Sequence, residues 1–296
     1  MDAIVIVNLE SSHSRSEQSK IEAALNERGV RIVDFQTVVG GRVAYKRVKR
    51  AVKRGASVVI VGGGDGTMTQ VVNALAHSET TLGVLPLGTG NSFAQTLGIG
   101  ESLEAAADVI AGGRVASVDL GIVNGRYFAN FATIGLAAQV AGATSSGLKR
   151  FVGPLAYALA GIGPLFTHRA FKATIDWKGG HTRLRTQQLI VASGRLFGKT
   201  PVLPNADITS GKLALFTSTA TSVIGVLRTY LAFAFGAQTT LPDARGLSAK
   251  KIVVRTRPKQ PLNVDGDAFG STPACFRIAR RALRVFVPAS FVDEGH

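Results

Sequence analysis

Cysteine is almost absent from this sequence of 296 residues: Cys275 stands alone, so no internal disulfide can form. With no second cysteine or suitably spaced histidine beside it, Cys275 cannot build a zinc site of the usual kind. Charged residues are also scarce, at 18% against 46% apolar residues. That balance excludes a disordered chain and supplies a core for one large or two medium domains. We therefore expect a folded protein of a reducing, cytoplasmic environment.

Apolar runs long enough to cross a bilayer are also missing. Residues 151–166 are interrupted by two Gly-Pro pairs, and residues 222–237 carry Arg228 at their middle. Both stretches fall short of the roughly 20 residues that a spanning helix needs. The N-terminus lacks the basic start and apolar run of a signal peptide. We interpret both stretches as helices packed in protein or beside a lipid pocket.

Acidic residues are few, with 19 Asp and Glu against 34 Lys and Arg, which gives a net charge of +15. Such a chain attracts nucleic acid, anionic membranes and nucleotide phosphates alike. The sequence contains no helix-turn-helix signature, no zinc-finger spacing and no aromatic-plus-basic signature of an RNA-binding sheet. We therefore expect no nucleic-acid partner, and we expect peripheral association with an anionic membrane surface.

Strand-like and helical stretches alternate up to about residue 115, which predicts a Rossmann-like parallel α/β domain. The pattern then changes. Asn124-Gly125 predicts a tight hairpin turn, and residues 171–177 alternate between apolar and polar as an antiparallel strand does. We therefore divide the chain into an α/β domain of residues 1–121, to which residues 287–296 can return, and a β-rich domain of residues 122–286.

A glycine cluster, Gly62 to Thr67, connects a predicted strand to a predicted helix. Such a loop lets backbone N–H groups approach a phosphate at a helix N-terminus. It is not a P-loop, because no Lys-Ser/Thr pair closes it. Asp65 is repulsive beside a phosphate unless a cation lies between them, so it indicates a nucleotide bound with Mg²⁺. The alternative, a solvated turn with a helix-capping Asp65 or Thr67, is disfavoured by the four glycines.

A second glycine loop, Pro86 to Asn91, follows the next predicted strand and also precedes a helix. Asn8 and Thr37 lie where the first two strands are predicted to end. Open α/β sheets hold their ligands at the carboxyl ends of their parallel strands. Together these strand ends predict a nucleotide site.

The two loops resemble the GGDGT and PLGTxN signatures of the diacylglycerol kinases and of the sphingosine, ceramide and bacterial lipid kinases related to them. GGDGT also occurs in NAD kinases and phosphofructokinases, but the pair at this spacing is more specific. The resemblance implies an ATP-binding α/β domain, a larger β-sandwich domain with the lipid site, and a cleft between them. It continues through residues 118–135, 149–159, 197–211 and 263–267, and so covers nearly the whole chain.

The resemblance also implies an activity, an ATP- and Mg²⁺-dependent transfer of the γ-phosphoryl group to a lipid hydroxyl, with a diacylglycerol-like acceptor expected. Asp265-Gly266-Asp267 stands in the place of the family's Asp-Gly-Glu, so Asp265 and Asp267 are expected at the transferred phosphoryl group. Asp265 is the first candidate for the general base, and Asp267 is left open as the alternative. Asp65 is expected to contact the Mg²⁺. The residues that the resemblance places against ATP are Asn8, Leu9, Glu10, Ser11, Ser12, Thr37, Gly63, Gly64, Asp65, Gly66, Thr67, Met68, Thr69, Gly88, Thr89 and Asn91.

Three departures from the family pattern limit what is carried over. Asp267 replaces Glu, Asn8-Leu9-Glu10 replaces an Asn-Pro element, and Ser210-Gly211-Lys212 replaces the Asp-Gly-Leu stretch that holds a structural Mg²⁺. A hydroxyl and a lysine are poor substitutes for that carboxylate, so this second metal site is not transferred. A kinase of a soluble acceptor such as NAD and a non-catalytic membrane or nucleic-acid binding protein remain alternatives. The lipid acceptor and a homodimer are left open.

Overall fold

Two groups of residues pack among themselves to form two units. The first comprises residues 1–120, 208–210 and 279–296, and the second comprises residues 121–207 and 211–278. The computed structural model describes residues 1–9, 14–136, 138, 169–194, 196–197, 200–204 and 206–293. The helix expected within residues 151–166 lies outside the described residues.

Three parallel strands of the first unit, β1 (Asp2–Asn8), β3 (Val58–Gly63) and β4 (Thr81–Pro86), are short, mostly apolar runs, whereas β2 (Arg31–Val38) contains polar residues and is largely accessible. The strand order is β2-β1-β3-β4, every pairing is parallel, and Leu82 of β4 also pairs with Val285 near the C-terminus. Strands buried on both faces are typical of a parallel sheet covered by helices. The elements are β1 (Asp2–Asn8), α1 (Ser14–Asn26), β2 (Arg31–Val38), α2 (Gly41–Lys53), β3 (Val58–Gly63), α3 (Asp65–Leu75), β4 (Thr81–Pro86), α4 (Ser92–Thr96) and α5 (Leu103–Ala111).

The second unit is an antiparallel sandwich. One sheet has the order β14-β13-β10-β7-β16-β17, and in the other β15 pairs with β8, β8 with β9, and the first residues of β18 with β15. Its elements are β6 (Arg126–Phe128), β7 (Phe131–Gly135), β8 (Phe171–Trp177), β9 (Gly180–Thr186), β10 (Gln188–Ala192), β11 (Leu196–Phe197), β12 (Thr200–Pro201), β13 (Leu213–Ser218), α6 (Val223–Ala234), a 3₁₀ turn (Gln238–Thr240), β14 (Ala244–Ala249), β15 (Lys251–Arg257), β16 (Pro261–Val264) and β17 (Asp267–Ser271). Strands β5 (Val115–Val123) and β18 (Ala274–Phe286) contribute residues to both units.

One apolar core fills the space between the two sheets of the second unit. Phe171, Ile252 and Phe276 from one sheet pack in it with Leu189 and Leu215 from the other. Phe128 meets Phe276 edge to face, with ring centroids 6.5 Å apart. This core confirms the predicted fold class, a parallel α/β unit followed by a β-sandwich.

Several local predictions can be compared with the elements. The Asn124-Gly125 hairpin is confirmed, since Val123 pairs with Arg126 and both turn residues have positive φ. Helix α3 begins at Asp65, within the first glycine loop. Residues Ala274–Phe286 form one continuous strand, β18, with Arg281 in a positive-φ conformation. From residue 279 this strand packs in the first unit, eight residues before the expected return at 287.

Candidate active site

The two glycine loops of the first unit meet backbone to backbone. Strand β3 ends at Gly63 and strand β4 at Pro86, and these residues are paired in the parallel sheet. A Cβ on Gly88 would overlap the Cα of Gly64, and a Cβ on Gly63 would lie 2.8 Å from the Thr67 side chain. Only glycine fits at these positions, so the loops form a closely packed pair at the N-terminus of α3. A helix N-terminus favours an anionic ligand such as a phosphate.

Asn8, at the end of β1, connects a third strand to the glycine loops through hydrogen bonds. Its Nδ2 donates to Thr67 Oγ1 at 2.7 Å, and its Oδ1 accepts from the Gly40 N–H at 2.7 Å. Asn8 thereby ties the loop after β2 to the first turn of α3. The side chain orients the loop and does not itself need to touch a ligand.

The residues expected at ATP divide into buried and accessible ones. Leu9, Thr67, Met68 and Thr69 are buried, and Thr69 Oγ1 donates to the Asp65 carbonyl at 2.9 Å, so these side chains support the loop from inside. The accessible or half-buried ones are Asn8, Thr37, Gly64, Asp65, Gly66, Gly88 and Thr89. Glu10, Ser11 and Ser12 lie outside the described residues.

Asn91 braces the second loop from within. It is buried, it adopts φ +49°, and its Oδ1 accepts from the Gly88 N–H at 3.0 Å while its Nδ2 donates to the Gly88 carbonyl at 2.7 Å. Such local side-chain bonds are typical of Asn in a left-handed turn. Asn91 therefore shapes the loop that presents Gly88 and Thr89.

Asp65 is the one acidic residue in the two loops. Its oxygens accept from the Phe93 N–H and from Ser92 Oγ, each at 3.4 Å, which are long contacts. Burial raises the pKa of the Asp65 carboxyl, and the nearby N–H groups of the Ser92 turn oppose that shift only in part. A carboxylate held in this way gains from a nearby cation.

The donor set bears on whether a Mg²⁺ can be held. No cluster of three or more His, Cys, Asp or Glu side chains that could bind a metal occurs among the described residues. Mg²⁺ that accompanies a nucleotide needs less, because it binds through one or two carboxylates, the phosphates and water. Asp65 at a helix N-terminus fits a Mg²⁺ held together with a nucleotide.

Asp265, in the second unit, is fixed by the backbone. It is buried, has φ +47°, and its two carboxylate oxygens accept three backbone N–H groups, those of Ala129, Asn130 and Phe131, at 2.9 to 3.0 Å. Its own N–H donates to the Phe131 carbonyl. The carboxylate therefore organises the turn of residues 129–131, a role that spacing in the sequence does not reveal.

Asp267, two residues further along, has a more open position. It begins β17, its side chain is 44% exposed, and its Oδ2 accepts from the Arg126 guanidinium at 2.7 Å. Arg126 itself is mostly buried and lies over the Phe269 ring. We did not identify Arg126 from the sequence, although it directly follows the Asn124-Gly125 turn.

No described helix is both long and apolar enough to cross a membrane. The second apolar stretch, expected as a helix, is α6, and it packs on the sandwich through Phe233. Its Arg228 pairs with Asp243 at 2.7 Å.

Two family models match the chain. Residues 2–123 match the diacylglycerol kinase catalytic domain, and residues 130–287 match the YegS C-terminal NAD kinase beta sandwich-like domain. The two matches take up nearly the whole chain, and each falls largely on one of the two units.

Curated and solved relatives agree with these models. The chain is 32% identical over 254 residues to a diacylglycerol kinase of Staphylococcus aureus, which covers 85% of this chain and 81% of that protein. A Bacillus anthracis structure described as a candidate diacylglycerol kinase matches with TM-score 0.80 at 24% identity over 98% of this chain and 96% of that one. A second Bacillus anthracis diacylglycerol kinase structure matches with TM-score 0.73 at 22% identity over 98% of both chains. At these identities the solved structures establish the fold.

Proposed function

The chain belongs to the diacylglycerol kinase catalytic-domain family and is a phosphotransferase that acts on an alcohol group; from this premise we propose that it transfers the γ-phosphoryl group of ATP to a lipid hydroxyl, with a diacylglycerol as acceptor. The observation that carries the proposal is the contact of two glycine loops, at Gly64 and Gly88, beside Asp65 at the start of α3. Identity of 32% to a curated diacylglycerol kinase supports the choice of acceptor.

The first unit would hold the nucleotide through its backbone. The loops Gly62 to Thr67 and Pro86 to Asn91 contain no lysine or arginine. Backbone N–H groups and the N-terminal dipole of α3 are then the groups that face the phosphates, and Thr89 adds an accessible hydroxyl. Phosphoryl transfer depends mainly on positioning and on charge stabilisation, and a rigid loop pair supplies the positioning.

Asp65 would hold the Mg²⁺ that accompanies ATP, which when bound offsets the charge of the phosphates. The rest of the site supports that carboxylate. A Cβ on Gly90 would lie 2.7 Å from Asp65 Oδ2, so the second loop closes over it and restricts its rotation. The ionised form, which burial disfavours, is the form needed beside a cation.

The turn Asp265-Gly266-Asp267 would supply the acidic groups of the second unit, and we assign them different roles. A proton acceptor must be within reach of the attacking hydroxyl, so its exposure matters. Asp265 gives three acceptor positions to backbone N–H groups, out of about four that a carboxylate offers. Asp267 is partly exposed and is positioned by Arg126. We therefore propose Asp267 as the proton acceptor and Asp265 as a positioning residue, which is the second of the two assignments that the sequence left open.

A kinase of a soluble acceptor is the second candidate. The model that matches residues 130–287 is described as NAD kinase-like. That description concerns the sandwich, whereas the first unit matches the diacylglycerol kinase model over residues 2–123. We therefore rank the lipid acceptor first.

Incubation of the protein with labelled ATP, Mg²⁺ and a total lipid extract tests the proposal, with mass analysis of the labelled products. We expect label in a phosphorylated lipid of the diacylglycerol class. Label that appears only in water-soluble product after NAD is added would favour the second candidate. A parallel incubation with Asp65→Asn protein should yield background label, which excludes a contaminating kinase.

A further inference from the structure

One face of the sandwich in the second unit is strongly basic. Strands β15, β8 and β9, together with the first residues of β18, direct alternate side chains inward, where Phe171, Ile252 and Phe276 join the core. The outward positions carry seven exposed basic residues, and we name this set the basic face. Its members are Lys172, Arg183, Arg185, Lys251, Arg255, Arg257 and Arg277.

The strand register places several of these charges directly opposite one another. Arg257 pairs with Lys172, which pairs in turn with Arg185, so three cations form one row across three strands. Lys251 pairs with Arg277 in the same way. Like charges that face each other across strands destabilise a sheet. This arrangement lowers the stability of the sheet. We therefore interpret the concentrated positive charge as a binding surface for an anionic ligand.

Acidic side chains neutralise little of the positive charge of the basic face. Asp176 lies on it and pairs with Arg255. Within the ranges that the structure describes, no acidic side chain forms an ion pair with the other six basic residues. The second unit as a whole has nineteen Lys and Arg against five Asp and Glu, a net charge of +14. Its field is therefore positive, not balanced.

We propose that the basic face docks the enzyme on an anionic lipid bilayer. The inference rests on the proposed function, because a kinase of diacylglycerol meets its substrate in a membrane. The outer face of a sheet can lie along a bilayer, and each basic residue near an anionic surface strengthens binding by on the order of fivefold. Single-stranded nucleic acid fits less well, because the face offers no Phe, Tyr or Trp on which bases could stack.

Two other surfaces compete for the same role. Helix α2 exposes six basic residues and no acidic one, namely Arg42, Lys46, Arg47, Lys49, Arg50 and Lys53. It belongs, however, to the first unit, where fifteen basic and fourteen acidic residues nearly cancel. Helix α6 and the residue that follows it expose an apolar stripe, of which Ile224 and Phe235 are 81% and 83% exposed.

The stripe and the basic face lie on opposite sides of the sandwich. Leu215 of β13 faces the core shared with the basic sheet, whereas its neighbour Phe216 faces the other way and packs on Phe233 of α6. A planar bilayer can therefore contact only one of the two surfaces, and charge complementarity assigns it to the basic face.

The test removes one row of the basic face with the triple variant Lys172→Gln, Arg185→Gln and Arg257→Gln. A matched control, Lys46→Gln, Arg47→Gln and Arg50→Gln, removes three charges from α2. A second control, Ile224→Gln with Phe235→Gln, makes the stripe polar. Co-sedimentation with phosphatidylcholine vesicles, with and without 30% phosphatidylglycerol, measures binding, and thermal melting checks folding. Turnover of a water-soluble short-chain diacylglycerol measures catalysis away from membranes.

We expect the row variant to lose on the order of 100-fold in affinity for anionic vesicles, since three residues contribute about fivefold each. Its melting temperature should stay the same or rise, because like charges have been removed. Both controls should bind vesicles like the parent. Equal losses in the row variant and the α2 control, loss in the stripe variant alone, or a preference for single-stranded RNA over anionic vesicles would each overturn the proposal. Failure of the parent to phosphorylate any lipid would refute the proposed function while leaving the vesicle result to decide the docking face.

Discussion

The two units of this protein differ sharply in charge, although both are proposed to handle anions. The first carries fifteen basic and fourteen acidic residues, a net charge of +1, and the second carries nineteen and five, a net charge of +14. The first is assigned the most highly charged ligand, ATP, yet its glycine loops contain no basic side chain. The two proposals together imply that a compact phosphate is held by a rigid backbone, whereas an extended anionic surface requires many side-chain charges.

The two units also differ in which interactions constrain the fold. In the first unit the glycine loops have no room for a Cβ at Gly63 or Gly88, so the constraint is close packing of the backbone. In the second unit Arg257, Lys172 and Arg185 repel each other across strands, so the cost lies in electrostatics. Substitutions in the first unit should therefore weaken nucleotide binding. Substitutions in the second unit should lower kcat or weaken membrane docking.

The largest effect is expected in the second unit, for Asp267→Asn. Loss of the proposed proton acceptor should lower kcat by about 10²–10⁴-fold, while ATP affinity stays near that of the parent because we assign the nucleotide to the first unit. Steady-state kinetics with calorimetric ATP binding measure both. Asp267→Glu, which restores the residue usual in the family, serves as the matched control and should retain most activity. Parental turnover by Asp267→Asn would return the base role to Asp265.

The corresponding change in the first unit is Asp65→Asn, for which we expect a loss of turnover on the order of 10²–10³-fold, as when one electrostatic contact to the transition state is removed. The loss should persist at saturating Mg²⁺. Activity that returns to the parental level when Mg²⁺ is raised would contradict a direct role.

A measurement of folding stability distinguishes a direct loss of turnover in Asp65→Asn from misfolding of the variant. The folded-state pKa of Asp65 is raised by burial, so the ionised carboxylate costs folding energy at neutral pH. That cost is absent below the unfolded pKa of about 3.9 and grows as pH rises through the folded pKa. Asn removes it, so the free energy of unfolding of the nucleotide-free variant at pH 7 should equal or exceed that of the parent. Denaturant melts of both proteins at pH 7 measure the difference.

Asp265→Asn should act mainly on stability. An amide cannot accept all three N–H groups of residues 129–131, and leaving buried donors unpaired costs about 1–3 kcal/mol. We expect a lower free energy of unfolding, with kcat reduced less than in Asp267→Asn. Denaturant melts and kinetics at a temperature where both variants are folded make the comparison. Unchanged stability with a large loss of kcat would show that Asp265 acts in the chemistry.

The smallest effect is expected for Gly88→Ala. The added methyl group would lie 2.4 Å from Gly64 Cα, so the loops must move apart by roughly 1 Å to reach an ordinary contact of about 3.4 Å. We expect ATP to bind about tenfold more weakly, with the proton-transfer groups of the second unit unaffected, so that kcat at saturating ATP changes less than KM for ATP. Equal changes in KM for ATP and KM for the lipid would show that the two loops serve more than the nucleotide.

The sequence predicted the parallel strands and the glycine loops that connect them to helices well, because their signals are local. Apolar runs bounded by Gly62 to Thr67 and by Pro86 to Asn91 fix strand, turn and helix in one short stretch. Helix α5, at residues 103–111, was not predicted, although Ser102 caps it by accepting the Ala105 N–H.

Roles that depend on distant partners could not be predicted from the sequence. The Asp265 carboxylate meets backbone groups more than 130 residues away, and Arg126 reaches Asp267 across 141 residues. The basic face likewise follows from strand register, since Lys172, Arg185 and Arg257 lie on three strands. The amino-acid composition shows that the chain is basic. Only the pairing of β8, β9 and β15 shows that these three residues lie side by side across the sheet.

The most direct test of the proposed activity offers the protein both acceptors at once. Purified enzyme is incubated with γ-labelled ATP, Mg²⁺, anionic vesicles containing diacylglycerol, and NAD at equal molar amounts, and the label is measured in the lipid and aqueous phases. We expect transferred label to enter the lipid phase as a phosphorylated diacylglycerol, and we expect Asp267→Asn to lower this signal by at least about 100-fold. Label in NADP, or ATP consumption that is the same without diacylglycerol, would refute the proposed lipid kinase activity.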